Sequence, residues 1–158
     1  AERLGLRNGI LLGEENVVPK LLERCNEMVD KDPNKPFVLV VDSLQTLNDG
    51  KWGDAINSVT PVRCLELITN WCKERNTMAI VIGQVGKDGK FMGKNSLKHM
   101  VDAQLELSID LKQKSPTYGL RILGMSKNRF GCGSSQYYLQ LQKGGFSIAA
   151  IEGGEEDE

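Results

Sequence analysis

The chain has 158 residues, 40% apolar and 26% charged, with four cysteines, one histidine and a formal net charge of −1. That length suits one domain with a real core, and the composition is ordinary for a soluble globular protein. No apolar run reaches the length of a membrane span, no signal peptide opens the chain and no CxxC pair offers a zinc site, so a cytoplasmic location, no membrane partner and free thiols are expected.

In chain order, AERLGL reads as the last turns of a helix and NGILLGEE as a short strand. Residues 17–30 place Leu21, Leu22, Cys25 and Met28 at helical spacing. The charged turn DKDPNKP leads into FVLVVD, a continuous apolar run of the kind covered on both faces in a parallel sheet. A loop with Gly50, Trp52 and Gly53 follows, then a helix to about Asn76. Ser58 or Thr60 is its expected N-cap, and Pro61 is tolerated in the first turn. Its apolar stripe is Ile56, Val59, Leu65, Ile68 and Cys72.

The strand MAIVIG, a glycine- and lysine-rich loop and a short helix around SLKHM come next. Three further strands, AQLELSID, YGLRILGMSK and QYYLQLQ, are separated by the turns KQKSPT and GCGSS. The order predicts an α/β fold: central parallel strands followed by an antiparallel β-meander. The tail EGGEEDE holds five of the 21 acidic residues, which leaves a mildly basic body of 20 basic against 16 acidic residues. The tail reads as disordered.

The loop at 83–95, GQVGKDGKFMGKN, has the look of a phosphate loop but is not a Walker A motif. GKFMGKN has three residues between its glycines where four are needed, and Asn95 replaces the magnesium-binding hydroxyl. Lys87, Lys90, Lys94 and Lys98 against Asp88 alone suit a nucleic-acid backbone, and Phe91 could stack on a base. Asp42, at the C-terminal end of a buried strand, has the Walker B position, from which a carboxylate orients magnesium through water. A capping or purely structural aspartate is the alternative. Gln84 ends the next strand, where an amide could contact a γ-phosphate or simply begin a loop. Lys127 and Arg129 lie two apart at a strand end and could clamp phosphate, including a neighbouring subunit's nucleotide, or form surface ion pairs. A phosphatase reading of VVDSLQT fails because Leu44 stands where a second Asp is needed.

In combination, RLGL, VLVVDSLQT (38–46), SVTPVR (58–63), VGKDGKFMG (85–93), LKHMVD (97–102) and KNRFG (127–131) resemble the bacterial RadA (Sms) DNA repair family. The resemblance covers nearly the whole chain up to the tail. It implies a RecA-like P-loop NTPase core over residues 1–150, with 151–158 a separate tail. It also implies use of ATP and Mg2+, binding to single-stranded DNA, assembly with neighbouring subunits in a ring or filament, and branch migration during recombination.

Residue by residue, Asp42 (holding magnesium through water) and Ser43 match the Walker B pair. Gln84 matches the switch position, where the family more often has histidine. Lys87 to Asn95 match the second DNA loop, with Lys87, Lys90, Phe91 and Lys94 as its contacts. Asn48 to Asn57 match the first loop, with Arg63 beside it as a further DNA contact. Lys127 and Arg129 match the cations that reach a neighbour's ATP. The family's Walker A loop, catalytic glutamate and zinc finger would precede AERLGL, so the chain is expected to be an internal part that does not hydrolyse ATP alone. A non-hydrolysing DNA- or partner-binding module, and part of a replicative-helicase-type ATPase, are the alternatives.

Overall fold

The computed structural model describes residues 13–51, 57–84, 96–131 and 135–149. They fall into two compact units, Gly13–Val101 and a second that begins at Asp102. Among them no helix is long and apolar enough to cross a membrane.

The first unit runs α1 (Val18–Lys31), β1 (Val38–Asp42), a 3-10 turn (Leu44–Thr46), α2 (Thr60–Arg75), β2 (Met78–Ile82) and α3 (Ser96–Met100). β1 and β2 pair in parallel, Val38 opposite Met78 through Asp42 opposite Ile82, with α2 as the crossover such a pairing requires. Leu39 and Val41 alternate inward along β1 and meet Val18 and Cys25 of α1 and Cys64, Leu65, Ile68 and Trp71 of α2, joined by Leu44, Leu47 and Leu97. Trp71 sets its ring edge-on to Phe37, 6.1 Å between centroids, and donates its indole N–H to Asn26 Oδ1 at 2.8 Å. Arg75 and Asp30 form a second tie between α1 and α2.

Several expectations shift in detail. The α1 stripe is Val18, Leu21, Leu22, Cys25 and Val29; Met28 is turned out and 41% exposed. Among the described residues, Leu39 and Val41 make the covered face of β1, whereas Val38 and Val40 are exposed, as are Met78, Ile80 and Ile82 of β2. Neither Ser58 nor Thr60 is the N-cap of α2. The cap is Val59, without a side-chain hydrogen bond, and Asn57 does the capping work by accepting the Val59 and Thr60 amides at 2.9 and 3.1 Å. Asn76 closes α2 in the left-handed region at φ 49°, which asparagine tolerates. Residues 13–16 are not strand, and among the described residues this edge contributes a parallel bridge from Val17 to Asn48. The AERLGL helix and the tail lie outside the described residues.

The second unit is an antiparallel meander in the order β3 (Ala103–Ile109), β4 (Arg121–Asn128), β5 (Gln136–Gln142) and β6 (Gly145–Ile148). The last of these was not anticipated from the sequence. Alternation places Leu105, Leu107, Leu123, Met125, Tyr137 and Leu141 on one face. The β3–β4 turn is held by Asp110, whose carboxylate accepts the Thr117 hydroxyl at 2.6 Å and the Lys112 amide at 2.9 Å. Ser115 Oγ lies 2.9 Å from Thr117 Oγ1. These hydroxyls, Ser115 before Thr117, and the Lys112 amide hold the Asp110 carboxyl down at about 2.

Candidate nucleotide and nucleic-acid site

β1 delivers Asp42 to its C-terminal end, where the carboxylate is exposed. The peptide bond that follows, Asp42–Ser43, is cis. Asp42 borders a cleft of about 160 Å³ that is also lined by Glu14, Glu15, Val40, Thr46 and Leu47. Glu15 already accepts the Val17 amide at 2.9 Å. Ser43 is buried, 3% exposed, and its carbonyl accepts the Thr46 hydroxyl at 2.8 Å. Carboxylate and hydroxyl oxygens at a solvent-filled cleft are the donors a hydrated magnesium ion takes, so Asp42 fits the expected water-mediated contact. Direct chelation is a different matter. Among the described residues no group of three or more His, Cys, Asp or Glu is arranged to hold a metal. The cleft's described lining contains no lysine or arginine, so it offers phosphate no cation of its own. Glu14 and Glu15 were not singled out in the sequence; GEEN just before a helix was the available signal.

The end of β2 is tied to the segment after β1. Gln45 Nε2 donates to the Gln84 carbonyl at 3.4 Å, and the Gln84 amide donates to Gln45 Oε1 at 3.2 Å. The DSLQT motif thus places its carboxylate and the backbone of Gln84 on the same end of the parallel pair.

Arg63, expected to meet DNA, projects from the first turns of α2 and pairs through Nε with Asp49. Asp49 is 2% exposed and also accepts the Lys51 amide at 3.2 Å. Burial pushes the Asp49 carboxyl up, but the Arg63 guanidinium and the Lys51 amide outweigh it, and the group sits below its ordinary value. Next to this pair, burial and then the Asp49 charge push the Cys64 thiol up to about 11. Cys25, Cys64 and Cys72 are free thiols, as expected.

In the second unit, Lys127 belongs to β4, and a register shift between Gln104 and Leu105 changes its face. Leu105 lies opposite Met125, whereas Gln104 lies opposite Lys127. The extra residue, Ser126, moves Lys127 to the polar side shared with Gln104 and Glu106. Arg129 donates through Nη1 to Asp102 Oδ1 at 2.6 Å, and its amide donates to the Asp102 carbonyl at 2.9 Å. Asn128 Oδ1 accepts the Phe130 amide at 3.1 Å, and a Cβ on Gly131 would come within 3.0 Å of Asn128 Nδ2. The KNRFG tip therefore uses its Asn and Gly for shape, and it leaves Phe130 84% exposed. Lys87, Lys90, Phe91 and Lys94 lie outside the described residues.

The fold is that of RecA-like ATPase domains. The chain superposes on a DnaB-like replicative helicase solved for its interactions with primase (TM-score 0.71, 16% identity, 83% of this chain and 34% of that one). It also superposes on a second, separately solved ATPase domain (TM-score 0.66, 16% identity, 85% and 52%). A third likeness is to a KaiC-like protein of Pyrococcus horikoshii (TM-score 0.63, 14% identity, 84% and 57%).

Within that class, the chain belongs to the RadA DNA repair family. It is 37% identical over 133 residues to DNA repair protein RadA of Aquifex aeolicus and 34% identical over 134 residues to that of Haemophilus influenzae, covering 83% of this chain in each case. It spans 28% and 27% of the length of those two relatives. No protein-family profile matches it.

Proposed function

We propose that this chain is the metal-orienting, DNA-gripping and subunit-contacting part of an ATP-driven DNA recombination and repair machine, within a domain to which residues 1–150 belong. Asp42 orients a magnesium ion through water, and Gln84 reports the nucleotide's state to the loop that follows it. That loop, with Lys87, Lys90, Phe91 and Lys94, grips single-stranded DNA. Lys127 and Arg129 serve the phosphates of a neighbouring subunit in a ring or filament, Arg129 leaving Asp102 to do so. Hydrolysis of ATP to ADP and phosphate would supply the free energy in the intact protein, and branch migration is the work done with it. The proteins named as RadA above are DNA repair proteins, which supports the DNA side of this reading.

One observation carries the reading furthest: the Gln45 amide clasps the backbone of Gln84. It joins the carboxylate-bearing end of β1 to the start of the lysine-rich loop, so that a change at one is felt at the other.

The test is binding of this chain to a labelled oligothymidylate at several salt concentrations. Lys87→Ala, Lys90→Ala and Lys94→Ala together should weaken binding and flatten its salt dependence by about one unit of slope for each phosphate released. An unchanged affinity and slope would remove the loop from the interface. The chain by itself is expected not to turn over ATP, and turnover abolished by Asp42→Asn would overturn that.

A further inference from the structure

We propose that the apolar face of the β3–β6 meander is a self-association surface, through which two copies of this chain pair face to face as a β-sandwich. The contact is independent of the nucleotide and DNA reading above.

The face follows from strict alternation along the strands. β3 reads AQLELSI and β5 reads QYYLQLQ, so Gln104, Glu106 and Ser108 fall on one side of the sheet with Gln140 and Gln142, and the leucines fall on the other. Register carries the apolar set across all four strands. Leu107 lies opposite Leu123, which lies opposite Tyr137. At the β6 edge, Leu139 lies opposite Ile148 and Leu141 opposite Phe146. Such a pattern belongs to an antiparallel sheet with one face covered and the other in water. Yet Leu105, Leu107, Tyr137, Leu141, Phe146 and Ile148 are between 49% and 75% exposed.

Three features make a second copy the fitting cover. The first is area. At about 100 Å² each, about half of what a large side chain can bury, these six and the half-buried Leu123, Met125 and Leu139 between them offer roughly 700 Å² per copy, against the roughly 800 Å² per partner of a stable interface of standard size. A contiguous apolar patch of this extent marks an interaction site. The second is width. Four strands about 4.8 Å apart are wider than one helix of about 10 Å diameter can cover, whereas a like sheet packed about 10 Å away covers all four. The third is self-complementarity. Among the strand residues of this face Arg121 carries the one charge, and it stands at the start of β4, opposite Ile109 and Leu139. That position is on the rim, where water reaches the guanidinium in a paired sandwich. The centre of the patch can therefore meet its own copy without bringing like charges together, as an isologous contact requires.

The test is sedimentation equilibrium of the 158-residue chain from micromolar to sub-millimolar concentration. A monomer–dimer equilibrium that closes at twice the chain's 17.5 kDa is expected. Leu107→Glu, in the middle of the face, should raise the dissociation constant about a hundredfold or more, because each copy then brings a carboxylate into the shared interior. Ile80→Glu, on the exposed face of β2 in the other unit, should leave it within about twofold. Sodium sulfate should tighten the dimer, since apolar burial strengthens in that salt. If Leu107→Glu loses its far-UV circular dichroism, Leu141→Lys carries the comparison. A monomer at every concentration overturns the proposal, as does a mass that grows past two copies. So does a dimer that Leu107→Glu or Leu141→Lys spares, that Ile80→Glu breaks as readily, or that sulfate dissolves, for it would be held elsewhere or by charge.

Discussion

The side chain of Gln45 holds the backbone of Gln84 from both sides, accepting its amide and donating to its carbonyl, across 39 residues of sequence. No charge is involved, so the tie is insensitive to salt and to pH in the neutral range. Gln45→Ala should lower stability by about 1 kcal/mol, the net worth of ordinary hydrogen bonds. It should also speed exchange of the Gln84 amide more than that of the β2 interior. Urea unfolding and site-resolved exchange check the two parts. Loss of stability with an unchanged Gln84 amide would contradict the assigned bond.

The Asp110 turn predicts an acid sensitivity in the second unit. The carboxyl sits at about 2 in the folded chain against an ordinary 3.8. The unfolded form thus takes up a proton at a higher pH than the folded one. The stabilisation is present above about 3.8 and is lost as pH falls toward 2. Amides of Gly119 and Leu120, which close this turn, should lose protection across that window once intrinsic exchange rates are divided out. Asp110→Asn should remove the dependence. Protection that falls equally in both proteins would assign the effect elsewhere.

Thiol chemistry separates the buried from the reachable. With its thiol pushed up to about 11, Cys64 has a thiolate fraction near pH 8 of about one in a thousand, and the thiolate is the reacting species. Cys25 is also raised, by burial first and then by Cys72. Alkylation of folded chain at pH 8, read by peptide mass, should label the half-buried Cys72 ahead of Cys64 and Cys25. Early labelling of Cys64 would mean that α2 opens readily.

Trp71 predicts the largest single loss of stability. It is 5% exposed, edge-packed on Phe37 and bonded to Asn26. Trp71→Ala should cost about 3–5 kcal/mol by emptying its site. Trp71→Phe should cost about 1–3 kcal/mol, mainly because Asn26 is left without its partner. Equal losses for both would place all of the effect in the hydrogen bond and none in the volume.

What could be read from the sequence and what could not divide along physical lines. VLVVD and MAIVI were legible as strands because β-branched runs next to a helical stripe leave few alternatives. KNRFG and VLVVDSLQT were legible as a family signature. The exposure of Val38 and Val40 among the described residues was not legible, since a fully apolar run looks the same whether one face or two are packed. The facing of Lys127 escaped because a bulge at Ser126 leaves no local mark in the residues. Arg63 was expected at the DNA and is found answering Asp49. That pairing spans 14 positions, and no local periodicity announces it. β6 was missed because GFSI is short, and among the described residues its strand partner is β5.

The parallel pairing of β1 with β2 also has a consequence for how the chain is made. Val38 waits for Met78, 40 residues later in the sequence. At ordinary synthesis rates of about 5–20 residues per second that is a delay of about 2–8 seconds. For that time VLVV emerges ahead of its partner β2, and this run is a natural landing place for a holding chaperone. The meander makes a smaller demand, since its successive strands are joined by connections of 11, 7 and 2 residues. A force profile of the nascent chain should accordingly show a pull as β2 clears the exit tunnel.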